Sequence, residues 1–263
     1  MSINALKILA LICMVFDHIG EFFLNSPIWF RWIGRLSAPL FFYCSAWGFY
    51  YTKNRKRYLF RLYFLGIVMS IGNIIIFLVL KKANGINNNI FVTLFLGCVI
   101  VDLIERKSTN KEKIRGITCF TLHQIIIFTL CVALAEFLKI PWFIGMNMRY
   151  YLYGALFGSV IFSEGSICLV LFFVIVYFLK KKKKELCVFF PLFSFVLEFL
   201  IQRTYYMRGA IEYLVPFNKF QWMMVLAFPL ILMYNGKEGR KCKWFYYLFY
   251  PMHIWILYAI ANL

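Results

Sequence analysis

The chain is poor in charge, and poorest in acids. Of its 263 residues 15% are charged, and 29 lysines and arginines stand against 11 aspartates and glutamates. A soluble domain carries about a quarter charged residues, so an ordinary water-facing surface is excluded. Clustered cysteines are also missing. The eight cysteines are scattered and none forms a C-x-x-C pair, which leaves apolar buried thiols rather than a redox or zinc site. No H-x-x-x-H or H-E-x-x-H spacing occurs, and no metal is expected. G-x-S-x-G, the P-loop and G-x-G-x-x-G are absent too. The first apolar run lacks an A-x-A-like cleavage site and reads as the first helix.

What is present is apolar. The sequence is 63% hydrophobic, with mean hydropathy +0.75. A water-soluble core cannot absorb so much apolar surface, so the excess faces lipid. The expected fold is all-α, a multi-pass protein of the cell membrane built as a single transmembrane helical domain over 1–263. Ten apolar runs predict about ten transmembrane helices, at 5–24, 28–51, 58–80, 88–104, 117–138, 144–162, 166–179, 186–201, 219–234 and 244–262.

The net charge of +18 sits between these runs, in "KNRKR" at 53–57, "ERKSTNKEKIR" at 105–115, "KKKKK" at 180–184 and "KEGRKCK" at 237–243. Cytoplasmic loops look like this, with anionic lipid as partner and no nucleic acid. The first two loops place the N-terminus in the cytoplasm. Three apolar runs then separate 105–115 from 180–184, which puts the later pair on the wrong side unless one run fails to cross. The candidate is "RYYLYGALFGSVIF", interrupted by Gly154 and Gly158; its G-x-x-x-G reads equally as a close helix contact.

Ionisable groups inside spans are costly and point inward. In the first run Asn4, Lys7, Leu11, Met14, His18 and Glu21 recur at spacings of three and four and form one stripe. Asp17 lies about 100° from His18 and about 40° from Glu21. A carboxylate beside an imidazole raises its basicity and orients it, as a general base requires. The alternative is a buried ion pair of this patch with Arg31, Arg35 or Arg61. Arg35 falls inside an apolar stretch and needs an anion, either Asp17, Glu21 or a ligand phosphate or carboxylate. Pro39 is expected to kink the second helix. Arg57 and Arg61 flank the third and suit phosphates or a solvated flank. In the last run Pro251 is expected to break or kink the helix, and His253 follows it beside Tyr250. His123 reads as structural. A transporter relay through Asp17, His18 and His253 and a non-catalytic assembly role are the competing readings.

Six stretches occur in an order that resembles the TraX family of conjugation-associated membrane proteins. They are "LKILALICMVFDHIG", "RWIGRLSAPLFFYCSAWGFYYT", "NNNIFVTLFLG", "YYLYGALFG", "AFPLILMYNGKEG" and "FYYLFYPMHI". Ser37-Ala38-Pro39 departs mildly from the family pattern. The resemblance implies an acyltransferase that takes acetyl from acetyl-CoA in the cytoplasm to an amine or hydroxyl acceptor on the outer side. That acceptor would be a peptide or protein N-terminus, or a cell-surface glycan. With this chemistry His18 is the expected base and Asp17 orients it. Arg35, Arg57 and Arg61 take the donor's phosphates; Glu21, Arg31, Asn235, Tyr250 and His253 make secondary polar contacts.

Overall fold

Lipid offers no partner for backbone N–H and C=O groups, so apolar runs fold as helices that satisfy them internally. The computed structural model describes residues 1–80, 85–106, 109–137, 146–206, 220–239 and 243–263, and every regular element among them is helical. Cys242 and parts of the basic loops at 105–115 and 237–243 lie outside the described residues. In chain order the helices are α1 (Ile3–Phe22), α2 (Trp29–Gly34), α3 (Ser37–Tyr51), α4 (Arg55–Leu80), α5 (Ile90–Glu105), α6 (Asn110–Phe137), α7 (Met146–Phe157), α8 (Ser166–Leu179) and α9 (Lys183–Tyr206). A 3₁₀ helix (Gln221–Leu226), α10 (Ala227–Leu232) and α11 (Lys243–Asn262) complete the order.

Among the described residues three helices, α1, α4 and α6, are long and apolar enough to cross a membrane. At about 1.5 Å per residue, the 20 residues of α1 already cover a ~30 Å hydrocarbon layer. Their outer faces are greasy. On α4 the exposed Phe60, Phe64, Val68, Ile71, Ile75 and Val79 follow one another at spacings of three and four, a stripe suited to lipid and unsuited to water.

Among the described residues, helix length and composition do not confirm the expected ten spans. The run 28–51 divides into α2 and α3 around Arg35 and Leu36, because Pro39 has no N–H to bond the Arg35 carbonyl four residues back. Pro39 therefore sits in the first turn of α3 and kinks no helix interior, contrary to expectation. The run 219–234 becomes a 3₁₀ helix followed by a six-residue α10. Pro251 lies inside a helix that continues on both sides of it, so the expected break does not occur. The described α7 has 12 residues, about 18 Å. Gly158 ends it at φ +71°, and the chain doubles back. A Cβ on Gly154 would stand 2.6 Å from that of Phe162, so Gly154 serves this fold-back. The Gln124 side chain, midway along α6, accepts from Val160 N–H (2.8 Å) and donates to the Gly158 carbonyl (2.9 Å).

The chain divides into two compact units, Met1–Tyr51 with Ile175–Leu263, and Thr52–Val174. The second packs Val92, Leu96, Ala155, Val160 and Val170 in one cluster and Ile127, Cys131, Ala135, Tyr153 and Phe162 in another. Arg55 ties α4 to Asp102 (3.3 Å) and Glu105 (2.5 Å) of α5. In the first unit α1 is the central helix, packed on α2, α3 and α11. Asn4 meets Tyr246 (2.5 Å), His18 meets His253, and the ring of Phe22 meets that of Tyr258 at 5.6 Å. These contacts ascend together, so α1 and α11 run parallel.

One end of this unit is basic. Ile3 and Asn4 N–H groups donate to the Lys237 and Glu238 carbonyls (2.9 and 3.1 Å). Lys183 Nζ donates to the Leu232 carbonyl (3.2 Å), and Lys181 Nζ to the Tyr50 hydroxyl (2.5 Å). The lysines at 180–183 and Lys237 therefore gather at the start of α1.

Candidate active site

The charged patch lies toward the other end of α1 and begins with a tight helix hairpin. Ser26 turns the chain back through its N–H and hydroxyl, both bonded to the Phe23 carbonyl, and α2 returns along α1. Two glycines let the helices close. A Cβ on Gly34 would collide with the Asp17 side chain, and one on Gly20 would stand 2.8 Å from Arg31 Cδ. Arg31 and Arg35, one turn apart, thereby face Asp17 and Glu21.

The pairing is nearly closed within the patch. Arg35 binds both carboxylate oxygens of Asp17. Arg31 Nη1 reaches Asp17 Oδ1, Glu21 Oε2 (both 3.1 Å) and the Asp17 carbonyl (2.9 Å). Arg35 Nη1 also donates to Gln221 Oε1 at 2.9 Å. The side chains of Asp17, Arg31 and Arg35 are 13–14% exposed against 34% for Glu21, which puts Glu21 at the rim. Two carboxylates and two guanidiniums balance, as desolvated charges must. Asp17, His18 and Glu21 each bring one potential metal-donor atom within 4.8 Å of the others; the two guanidiniums on those carboxylates oppose a cation there.

His18 looks the other way, toward α11. It is 4% exposed. Its Nδ1 lies 2.7 Å from Nε2 of His253, and His253 Nδ1 lies 2.8 Å from the Phe249 carbonyl oxygen. Phe22 stacks on His18 (centroids 5.9 Å) and Phe249 on His253 (5.1 Å). Tyr250 packs edge-on against His253 at 5.9 Å. At 2.7 Å two ring nitrogens share a single hydrogen. An imidazole pair buried among aromatic rings, next to a balanced charge cluster, is equipped to take up one proton and hold its ring while doing so.

The structure thus unites Asp17, Glu21, Arg31 and Arg35 in one cluster and His18 with His253 and Tyr250 in another. Arg35 meets Asp17, the ion-pair partner considered in the sequence. Arg57 and Arg61 stand on α4 in the second unit; Arg57 N–H is bonded to Asn54 Oδ1 (2.9 Å), and the Arg61 guanidinium lies 5.6 Å from the Tyr58 ring. Asn235 is exposed at the basic end, where its Oδ1 accepts from Lys237 N–H (3.1 Å). Gln221 was missed, although it is the one amide in the apolar run "FQWMMVLAFPLILMY".

Apolar helices with lipid-suited faces around buried ionisable side chains are the features of a membrane protein. The chain belongs to the TraX protein family, whose model matches residues 2–157. It is also 23% identical over 261 residues to "Probable fimbrial assembly protein FimC, serogroup H1" of Dichelobacter nodosus, covering 96% of this chain and 92% of that protein. No solved structure matches. The family match contains Asp17, His18, Glu21, Arg31 and Arg35; Gln221 and His253 lie beyond it.

Proposed function

We propose that this protein is a multi-pass membrane acyltransferase that moves acetyl from cytoplasmic acetyl-CoA to an amine or hydroxyl acceptor, with His18 as general base. The observation that carries the reading is the buried His18–His253 pair, since a base must be positioned and able to take one proton. Membership of the TraX family supports the reaction class. With an amine acceptor, nitrogen attacks the thioester carbonyl, the C–N bond forms and the C–S bond breaks. His18 takes the proton leaving nitrogen and returns it to the departing CoA sulfur. Asp17, bound by Arg31 and Arg35, fixes the α1–α2 hairpin that carries His18.

The donor's phosphates need cations. The lysines gathered at the start of α1, in the unit that also carries His18, supply them. Lysine-rich ends favour the cytoplasmic face, which supports a cytoplasmic N-terminus and sets His18, about 22 Å further along α1, toward the outer side. The relative named for fimbrial assembly supports a peptide N-terminus as acceptor over a surface glycan. The test is CoA release from acetyl-CoA by the protein in nanodiscs, with free-amine peptides as acceptors. His18→Ala is expected to lower the rate at least about 10²-fold. An unchanged rate in that variant, or solute flux without acyl-CoA, would replace this reading.

A further inference from the structure

His253 does not merely touch His18; the geometry points to His253 as the positioning residue that fixes the proton arrangement of the base. The argument starts at the far end of the chain of contacts. A carbonyl oxygen only accepts, so the hydrogen between it and His253 belongs to Nδ1 of the ring. In a neutral imidazole the other nitrogen, Nε2, then holds the lone pair. That nitrogen faces His18 Nδ1 at 2.7 Å, so the shared hydrogen sits on His18 Nδ1. His18 is left with its lone pair on Nε2, the nitrogen away from His253. Two contacts, Phe249 to His253 and His253 to His18, thus decide which nitrogen of His18 acts as base.

The same order of bonds separates this role from proton conduction. A proton handed on from His18 to His253 would have to leave through Nδ1, whose partner is the Phe249 carbonyl, a group that does not take up a proton. The pair ends at α11. It suits a base that borrows a proton and gives it back, and it does not suit a relay through the membrane. Asp17 is held by Arg31 and Arg35 on the side toward α2, so orientation of the ring falls to His253 rather than to the neighbouring carboxylate.

The kinetic part of this inference rests on the acyltransferase reading; the spectroscopic part does not. Histidine labelled with ¹⁵N in nanodisc-embedded wild-type protein is expected to show His18 with a protonated Nδ1 and a bare Nε2, and a coupling from His18 Nδ1 to His253 Nε2. A His18 ring protonated on Nε2 and bare on Nδ1 would overturn the assignment. In turnover, His253→Ala is expected to lower kcat about 10²-fold and leave the KM for acetyl-CoA unchanged. His253→Gln, whose amide oxygen accepts the same hydrogen bond, should recover at least tenfold of that loss. Equal rates for the Ala and Gln variants, or a change confined to KM, would count against positioning. If wild-type protein transfers no acyl group while His18 has the stated proton arrangement, the enzyme reading fails and the positioning role stands.

Discussion

Arg35 answers to four oxygens at once, both of the Asp17 carboxylate, the Gln221 amide and the Arg31 carbonyl. Removing one member of a desolvated ion cluster leaves the others uncompensated, which costs more than the pair itself contributes. Arg35→Ala is therefore expected to destabilise the protein by about 3 kcal/mol, measured by unfolding in mixed micelles. The double variant Arg35→Ala with Asp17→Ala should lose less than the sum of the two single changes, with a coupling of about 1–3 kcal/mol; strict additivity would show the pair to be energetically idle. Gly34 obeys a different constraint. Gly34→Ala puts a methyl group where the Asp17 side chain lies and is expected to cost about 1–3 kcal/mol through overpacking. These positions differ in how well the sequence announced them. An arginine inside an apolar run asks for an anion, and Asp17 was one of few acids available. Gln221 is 186 residues from Arg35, and no periodicity of either segment links them.

Helix identity followed from composition, while helix length did not. Period and hydropathy mark where lipid-facing runs lie, and α8 coincides with its predicted 166–179. What single runs conceal is interruption. Arg35 and Leu36 divide α2 from α3, and the fold-back after Gly158 is fixed by Gln124, a residue of a different helix. The prolines misled for the same reason: a proline's effect depends on whether it meets a helix in its first turn, as Pro39 does, or inside it, as Pro251 does. The outer stripe of α4 is testable on this scale. Ile71→Lys, on the exposed face, should impair membrane insertion by about 2.5–3.5 kcal/mol in a translocon assay. Insertion at the wild-type level would mean that this stripe meets protein or water rather than lipid.

At the scale of the molecule, the first unit is made from both ends of the sequence, and its lysines collect where α1 begins. Single cysteines placed at Ser2, Lys181 and Lys237 are expected to react with a membrane-impermeant reagent from one side only, and the same side for all three. Labelling of Lys181 and Lys237 positions from opposite sides would break the proposed topology. The discontinuity also has a consequence in time. His18 and His253 are 235 residues apart, and a ribosome adds about 5–20 residues per second, so roughly 12 to 47 s separate the synthesis of the two histidines. Asp17 and Arg35 are close enough in sequence to meet while the chain is still short. The nascent protein thus holds its ion cluster early and its imidazole pair only at the end of translation. During that interval His18 belongs to an unfinished wall, and a chain halted before α11 carries His18 without the His253 ring beside it.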